Sequence, residues 1–322
     1  MRTTEILRIP ELEPEAIRAA HATIHPAFTH APQYVHEGMS AMLGVPVIVK
    51  VETANPIRSF KGRGTWVAVS ALVGEGRIDR TRPVACVSAG NFGQGVAFAA
   101  RAHGVPAIVF CSTRANAGKI ARMRALGAEV IEHGDDFDEA RGESEAYVAA
   151  NPAALLVDGE DPRISTGAGT MAIEVTDAVE RGELPMPTAV FVPVGNGALL
   201  NGVGSWLRAA APDTRIIGVQ AANADAMTRS WHAGRPIGTD SAGTFADGIA
   251  SRVAIPRAVE LMRGRVDEMR TVSEEDLRAA QATLTDELGI TVEGAAAASW
   301  AGAVAGPPPS GPVLIMVTGS NA

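Results

Sequence analysis

The chain has 322 residues, 46% of them hydrophobic and 20% charged, with a formal net charge of −8. That composition is typical of a packed globular protein and excludes disorder as the main state. At roughly 150 residues per domain the length provides for about two domains rather than a small stapled scaffold. The negative balance argues against a nucleic-acid backbone or an anionic membrane surface as partner, and points to a small substrate.

From Val45 onward, short Val/Ile-rich runs alternate with longer helical patterns, the signature of βαβ units around parallel sheets. Strands are expected at 46–51, 84–87, 107–111, 129–132, 155–157, 189–194, 215–219 and 313–317. Helices are expected near 65–73, 93–103, 117–126, 137–150, 170–181, 199–210, 274–288 and 294–304. Cys86 and Cys111 lie in apolar stretches and read as buried thiols rather than a disulfide. The amino terminus has Glu5, Glu11, Glu13 and Glu15 and no apolar signal core, and no apolar run reaches about 18 residues, so a cytoplasmic protein is expected. The acidic cluster at Asp135, Asp136, Asp138 and Glu139 falls where a helix begins and reads as dipole-complementing charge, not a metal site. His21 and His25 have i,i+4 spacing without the glutamate of a zinc-protease helix, and no Gly-x-Ser-x-Gly elbow is present.

Three segments place small-residue turns at strand ends, where open α/β sheets bind ligands. Val192-Pro193-Val194-Gly195-Asn196-Gly197-Ala198-Leu199 runs from strand to helix and suits a phosphate, which backbone N–H groups and a helix amino terminus can cradle. A dinucleotide fits less well, because Leu200 replaces the third glycine and no acid ends the next strand at Gln220. Ser88-Ala89-Gly90-Asn91-Phe92 likewise opens a helix and suits a carboxylate, although an asparagine there also serves as a cap. The third segment, Asn55-Pro56-Ile57-Arg58-Ser59-Phe60-Lys61-Gly62-Arg63-Gly64, sets a lysine among glycines. Of 28 Lys and Arg residues only Lys50, Lys61 and Lys119 are lysine. A desolvated lysine can lose its proton and attack a carbonyl, which a guanidinium cannot. Lys50, ending a strand, and Lys119, on a helix, are expected to be solvated charges.

Taken together, Ser59-Phe60-Lys61-Gly62-Arg63-Gly64, Ser88-Ala89-Gly90-Asn91, the Gly195–Leu199 loop, Phe245-Ala246-Asp247-Gly248-Ile249, Val292-Glu293-Gly294-Ala295 and Thr318-Gly319-Ser320-Asn321 resemble, in order and wording, the fold-type II pyridoxal phosphate enzymes. The likeness is to the threonine/serine dehydratase (ammonia-lyase) group, close to serine racemase, and runs from about Thr29 to the carboxyl terminus. It implies a tryptophan synthase beta-like α/β fold of two domains with parallel-type sheets flanked by helices. Residues 1–49 plus 155–322 would form a large cofactor-binding domain, and residues 50–154 a small domain that closes over substrate.

By the same resemblance the cofactor is pyridoxal 5′-phosphate, with Lys61 its covalent anchor and the catalytic base, and Phe60 beside the ring. Asn91 would bond the ring hydroxyl oxygen. Gly195, Asn196, Gly197, Ala198 and Leu199 would hold the phosphate, Gly248 would face the ring, and Thr318 would meet the pyridine nitrogen. Ser88, Ala89, Gly90, Asn91 and Phe92 would receive the substrate carboxylate. The implied reaction is β-elimination from a β-hydroxy amino acid such as threonine or serine to a 2-oxo acid and ammonia, with leaving-group protonation assigned to the cofactor phosphate. A homodimer is also implied.

Departures from the group's pattern carry expectations of their own. Asn196 and Ala198 interrupt an otherwise all-glycine phosphate loop, and asparagine tolerates a left-handed backbone. Phe92 stands where histidine is usual, which suggests a different or bulkier substrate side chain. Ala89 replaces the serine that serves racemases as a second acid/base, disfavouring two-base racemisation; β-replacement is a further alternative. Gln220 and Ala226 lack the acidic groups that hold a divalent cation in related racemases, so no activating metal is expected.

Overall fold

The computed structural model describes residues 6–321. Among these residues there are ten strands and twelve α-helices. They are α1 (Pro14–Thr23), β1 (Gln33–Val35), α2 (Glu37–Leu43), β2 (Val47–Val51), α3 (Lys61–Gly74), β3 (Val84–Val87), α4 (Asn91–His103), β4 (Ala107–Cys111), α5 (Ala117–Ala125), β5 (Glu129–Glu132) and α6 (Phe137–Ala150). Then follow β6 (Ala154–Leu155), α7 (Pro162–Glu180), β7 (Ala189–Pro193), α8 (Ala198–Ala210), β8 (Arg215–Ala221), α9 (Ala226–Ala233), α10 (Pro256–Met262), β9 (Glu268–Val272), α11 (Glu274–Leu288), α12 (Gly294–Val304) and β10 (Val313–Val317).

Two sheets organise these elements: a six-stranded one in the order β1-β2-β10-β7-β8-β9 and a four-stranded one in the order β5-β4-β3-β6. Only the edge strand β1 runs antiparallel, to β2; the other pairings are parallel. β10 reads Val-Leu-Ile-Met-Val and is wholly buried, as a central parallel strand covered on both faces must be. Its residues alternate between two cores, Leu314 and Met316 facing one and Val313, Ile315 and Val317 the other. In the smaller sheet Val84 and Cys86 face one apolar cluster and Ala85 and Val87 the other. Both cysteines are buried and free.

Several elements differ from the sequence expectation. β1, β9, α1, α2, α9 and α10 are additional. α7 begins at Pro162 rather than Thr170: Pro162 is its first residue, and the Asp161 carboxylate caps it by accepting the Arg163 N–H. The small residues from Ser165 to Gly169 disguise that start because they serve close packing. A Cβ on Gly167 would lie 2.4 Å from the Arg63 carbonyl, and one on Gly64 2.6 Å from that of Ile164. The glycines around Lys61 thus lie inside a helix, not in a turn; Gly64 lets α3 approach α7 closely, while Gly62 makes room for the Phe28 ring. Sheet membership also differs from the expected division by a residue or two. Lys50 and Val51 pair within the six-stranded sheet, and Leu155 within the four-stranded one.

Candidate active site

The carboxyl ends of β10 and β7 in one sheet and of β3 and β6 in the other converge on a pocket of about 450 Å³. Every residue expected to meet cofactor or substrate lines it: Phe60, Lys61, Ser88, Ala89, Gly90, Asn91, Phe92, Gly195, Asn196, Gly197, Ala198, Leu199, Gly248 and Thr318.

Lys61 is the first residue of α3, where a helix dipole disfavours positive charge. A carboxylate offsets this: Lys61 Nζ donates to Asp158 Oδ2 at 2.7 Å. The amine also lies 5.0 Å from the Phe60 ring centre and 5.9 Å from that of Phe92, a partly desolvated place for an ammonium. The approach to α3 is tied to the end of β10, because the Phe60 N–H donates to the Thr318 carbonyl at 3.1 Å and Ser59 bridges to Gly319.

At the end of β3, Ser88 Oγ accepts the N–H groups of Gly90 (3.1 Å) and Gly93 (3.0 Å), shaping the turn into α4. Asn91 opens that helix, with its side chain turned across the cleft. Its amide donates to both oxygens of Glu293 at 3.0 Å and its carbonyl accepts from Asn321 Nδ2 at 2.8 Å. Asn321 also donates its backbone N–H to Glu293 Oε1 at 2.6 Å. Burial pushes the Glu293 carboxyl above its ordinary value, against the opposing pull of these hydrogen bonds.

The turn after β7 is built for close approach. Gly197 has φ +89°, which glycine adopts without strain, and caps α8 with no side-chain bond. A Cβ on Gly195 would stand 2.7 Å from the Gly248 carbonyl, so the loop and the 247–249 turn are pressed together. The N–H groups that open α8 have no intrahelical acceptors and face the pocket, a ready cradle for an anion. Asn196 turns its amide away: Nδ2 is 3.5 Å from Asp158 Oδ2, and Oδ1 accepts from Ser251 Oγ at 3.0 Å.

Lys119 departs from its sequence reading. It is not a solvated charge: its side chain is largely buried on the pocket wall and its amine pairs with Asp247. On the rim, Asp138 of α6 pairs with Arg252, so two ion pairs join helices of the smaller sheet to the 247–252 segment. Asp136 caps α6 through the Glu139 N–H. Among the described residues no cluster of three or more His, Cys, Asp or Glu side chains has metal-binding geometry.

Lys50 departs further. It is fully buried and bonded to Glu174 Oε2 at 2.7 Å, with Glu52 at 3.4 Å. Arg63, two residues beyond Lys61, joins the same cluster, with Nε 2.8 Å from Glu52 and Nη1 2.9 Å from Glu174. The sequence reading assigned no role to Asp158, Glu293, Asn321 or Asp247. Asp158 had a usable signal, an acid just past a strand end on the ligand edge. Glu293 and Asn321 come from segments far apart in sequence from Asn91, and only the fold brings them to it.

Comparison with known proteins agrees with this geometry. Residues 26–319 match the family described as pyridoxal-phosphate dependent enzyme. The L-threonine ammonia-lyase of Thermotoga maritima is 33% identical over 283 residues, 88% of this chain and 69% of that protein. The mitochondrial threonine dehydratase of Saccharomyces cerevisiae is 31% identical over 301 residues, 92% of this chain but 51% of that protein. Among solved structures, a threonine deaminase from T.th. superposes with a TM-score of 0.88 at 30% identity, covering 96% of this chain and 98% of the other.

Proposed function

The chain belongs to the family of pyridoxal-phosphate dependent enzymes, and from that premise we propose that it eliminates water and then ammonia from a β-hydroxy amino acid, threonine or serine, to give a 2-oxo acid. The observation that carries the reading is the position of Lys61. It lines the same pocket as the anion cradle at 195–199, the Ser88–Phe92 turn and Thr318 at the end of β10.

The residues present fit the cofactor. The pressed-together Gly195 and Gly248 backbones and the N–H groups opening α8 suit its phosphate. When bound, pyridoxal phosphate supplies the electron sink for the charge left at Cα. The chain's residues would do the rest. Lys61 would anchor the aldehyde carbon and, once released by an incoming amino acid, take the Cα proton. The turn from Ser88 to Phe92 would orient the substrate carboxylate through backbone N–H groups. Asn91, held by Glu293 and Asn321, would present its amide toward the ring oxygen, and Thr318 would offer a neutral hydroxyl to the ring nitrogen. A neutral partner there favours elimination over transamination. Ala89 gives no second acid/base opposite Lys61, which separates this site from a two-base racemase.

The two sheet units would act as the domains that close over the substrate, joined by the Lys119–Asp247 and Asp138–Arg252 pairs. A homodimer in the cytoplasm completes the reading, with sedimentation as the check on assembly. The functional test is a panel of threonine, serine, hydroxyaspartate and bulkier β-hydroxy amino acids assayed for 2-oxo acid and ammonia. Turnover of threonine or serine is expected. No turnover of any, with β-replacement by a sulfide or amine nucleophile instead, would assign the site to a synthase.

A further inference from the structure

Lys61 has a partner that the dehydration reading does not use. We propose that Asp158 is a catalytic acid/base that hands to the leaving β-oxygen the proton Lys61 removes from Cα; the proposal rests on the dehydration reading above. It differs from the expectation that the cofactor phosphate protonates the leaving group.

Three observations support it. Asp158 lines the pocket, and its Oδ2 lies 2.7 Å from Lys61 Nζ, close enough for direct proton exchange. Its other oxygen, Oδ1, is buried with no hydrogen-bond partner among the described residues. A carboxylate oxygen left so in a closed site is costly unless a donor arrives to meet it. The carboxylate is also held in place: Asn196 reaches toward it from the phosphate loop, and Ser251 fixes that amide. The turn carrying it packs tightly, since a Cβ on Gly159 would lie 2.8 Å from the Asn196 carbonyl. Asn196, which looked like a mere interruption of a glycine loop, thus forms a unit with Asp158.

The step balances without an outside reagent. The Cα–H bond breaks and its proton passes to the Lys61 amine. Its electron pair becomes the second bond of Cα=Cβ as the Cβ–O bond breaks. The Lys61 ammonium gives a proton to Asp158, and the carboxyl gives one to the departing oxygen, which leaves as water. Both groups return to their starting forms. In a site closed to water the ammonium–carboxylate pair and its neutral counterpart lie much closer in energy than in bulk solvent, which makes this relay practicable. A carboxyl is also the stronger acid and the better donor to an oxygen leaving group.

The test compares leaving groups in the holoenzyme. L-serine needs a proton on its leaving oxygen, whereas β-chloro-L-alanine loses chloride without one. Asp158→Asn is expected to lower kcat on serine by about 10²-fold, and on chloroalanine by at least about tenfold less. Asp158→Ala should show the same ratio, which is internal to each preparation and insensitive to lost stability. Loss of Cα deuterium from recovered serine should continue in both variants, because proton removal remains with Lys61. In the cofactor-free protein, acetylation of Lys61 read by mass spectrometry should rise severalfold in Asp158→Asn. Equal losses with both leaving groups, no loss with either, arrested deuterium exchange or unchanged acetylation would each overturn the relay. Wild-type protein that converts neither serine nor threonine would overturn the dehydration reading itself, before any variant is made.

Discussion

The two faces of α3 carry the same kinds of charge for different ends. Behind the helix, Arg63, Lys50, Glu52 and Glu174 form a buried cluster in which every charge has an opposite partner. In front, Lys61 meets Asp158, one of whose oxygens has no partner among the described residues, and Asn91 leans on a Glu293 whose carboxyl burial disfavours as an anion. A satisfied ionic cluster stiffens a helix, while an incompletely satisfied one is set to exchange protons or bind something. The two lysines nearest each other in sequence therefore differ in what surrounds them, not in their chemistry.

Breaking the front face should cost activity first. Lys61→Arg keeps a cation beside Asp158 but cannot form the covalent bond, so 2-oxo acid formation should fall at least about 10⁴-fold with cofactor in excess; initial rates within a hundredth of wild type would contradict this. Breaking the rear face should cost stability. Arg63→Met leaves Glu52 and Glu174 short of a buried partner and should lower the unfolding free energy by about 3–5 kcal/mol in denaturant titrations. A loss well below that would show the cluster to be wet or adaptable.

The pH dependence sharpens the contrast, because the two carboxylates have opposite signs. Burial opposes ionisation of Glu174, but the nearby His21 ring, Arg63 and Lys50 hold its carboxyl far below the ordinary range. Its contribution to stability is therefore complete above the unfolded value near 4.5 and is lost as pH falls below it. Glu293 is raised, so its contribution is complete below that value and is lost as pH rises through its folded one. Relative to wild type, Glu174→Gln should be least damaging at acid pH and Glu293→Gln least damaging at neutral pH, read from denaturant midpoints at both. The smallest effect expected is that of magnesium or chelator. Gln220 Oε1 is already engaged by the N–H of Thr228 at 2.8 Å and its hydroxyl at 2.9 Å, and activity should change less than about twofold, as expected where added salt acts only by screening exposed charges. A large gain reversed by chelator would contradict it.

Much of this was legible in the sequence because it is local. Continuous apolar runs marked β3, β4 and β10 to the residue, and turn chemistry placed the loops that line the pocket. What was not legible depended on contacts between distant segments. Lys50 resembles a strand-end charge until Glu174, 124 positions on, is folded against it. β9, Glu-Met-Arg-Thr-Val, lacks a clean alternation because it is an edge strand with partial burial. Asp158 carries no motif of its own, and its chemistry comes from its distance to Lys61, 97 positions away in sequence.

The central claim is that one of the chain's three lysines, Lys61, holds the cofactor. Borohydride reduction of the holoenzyme, followed by digestion and mass spectrometry, tests it most directly. A single pyridoxyl-modified peptide containing Lys61 is expected, absent from Lys61→Ala. Modification at Lys50 or Lys119, or at no lysine in protein that consumes threonine or serine, would contradict it.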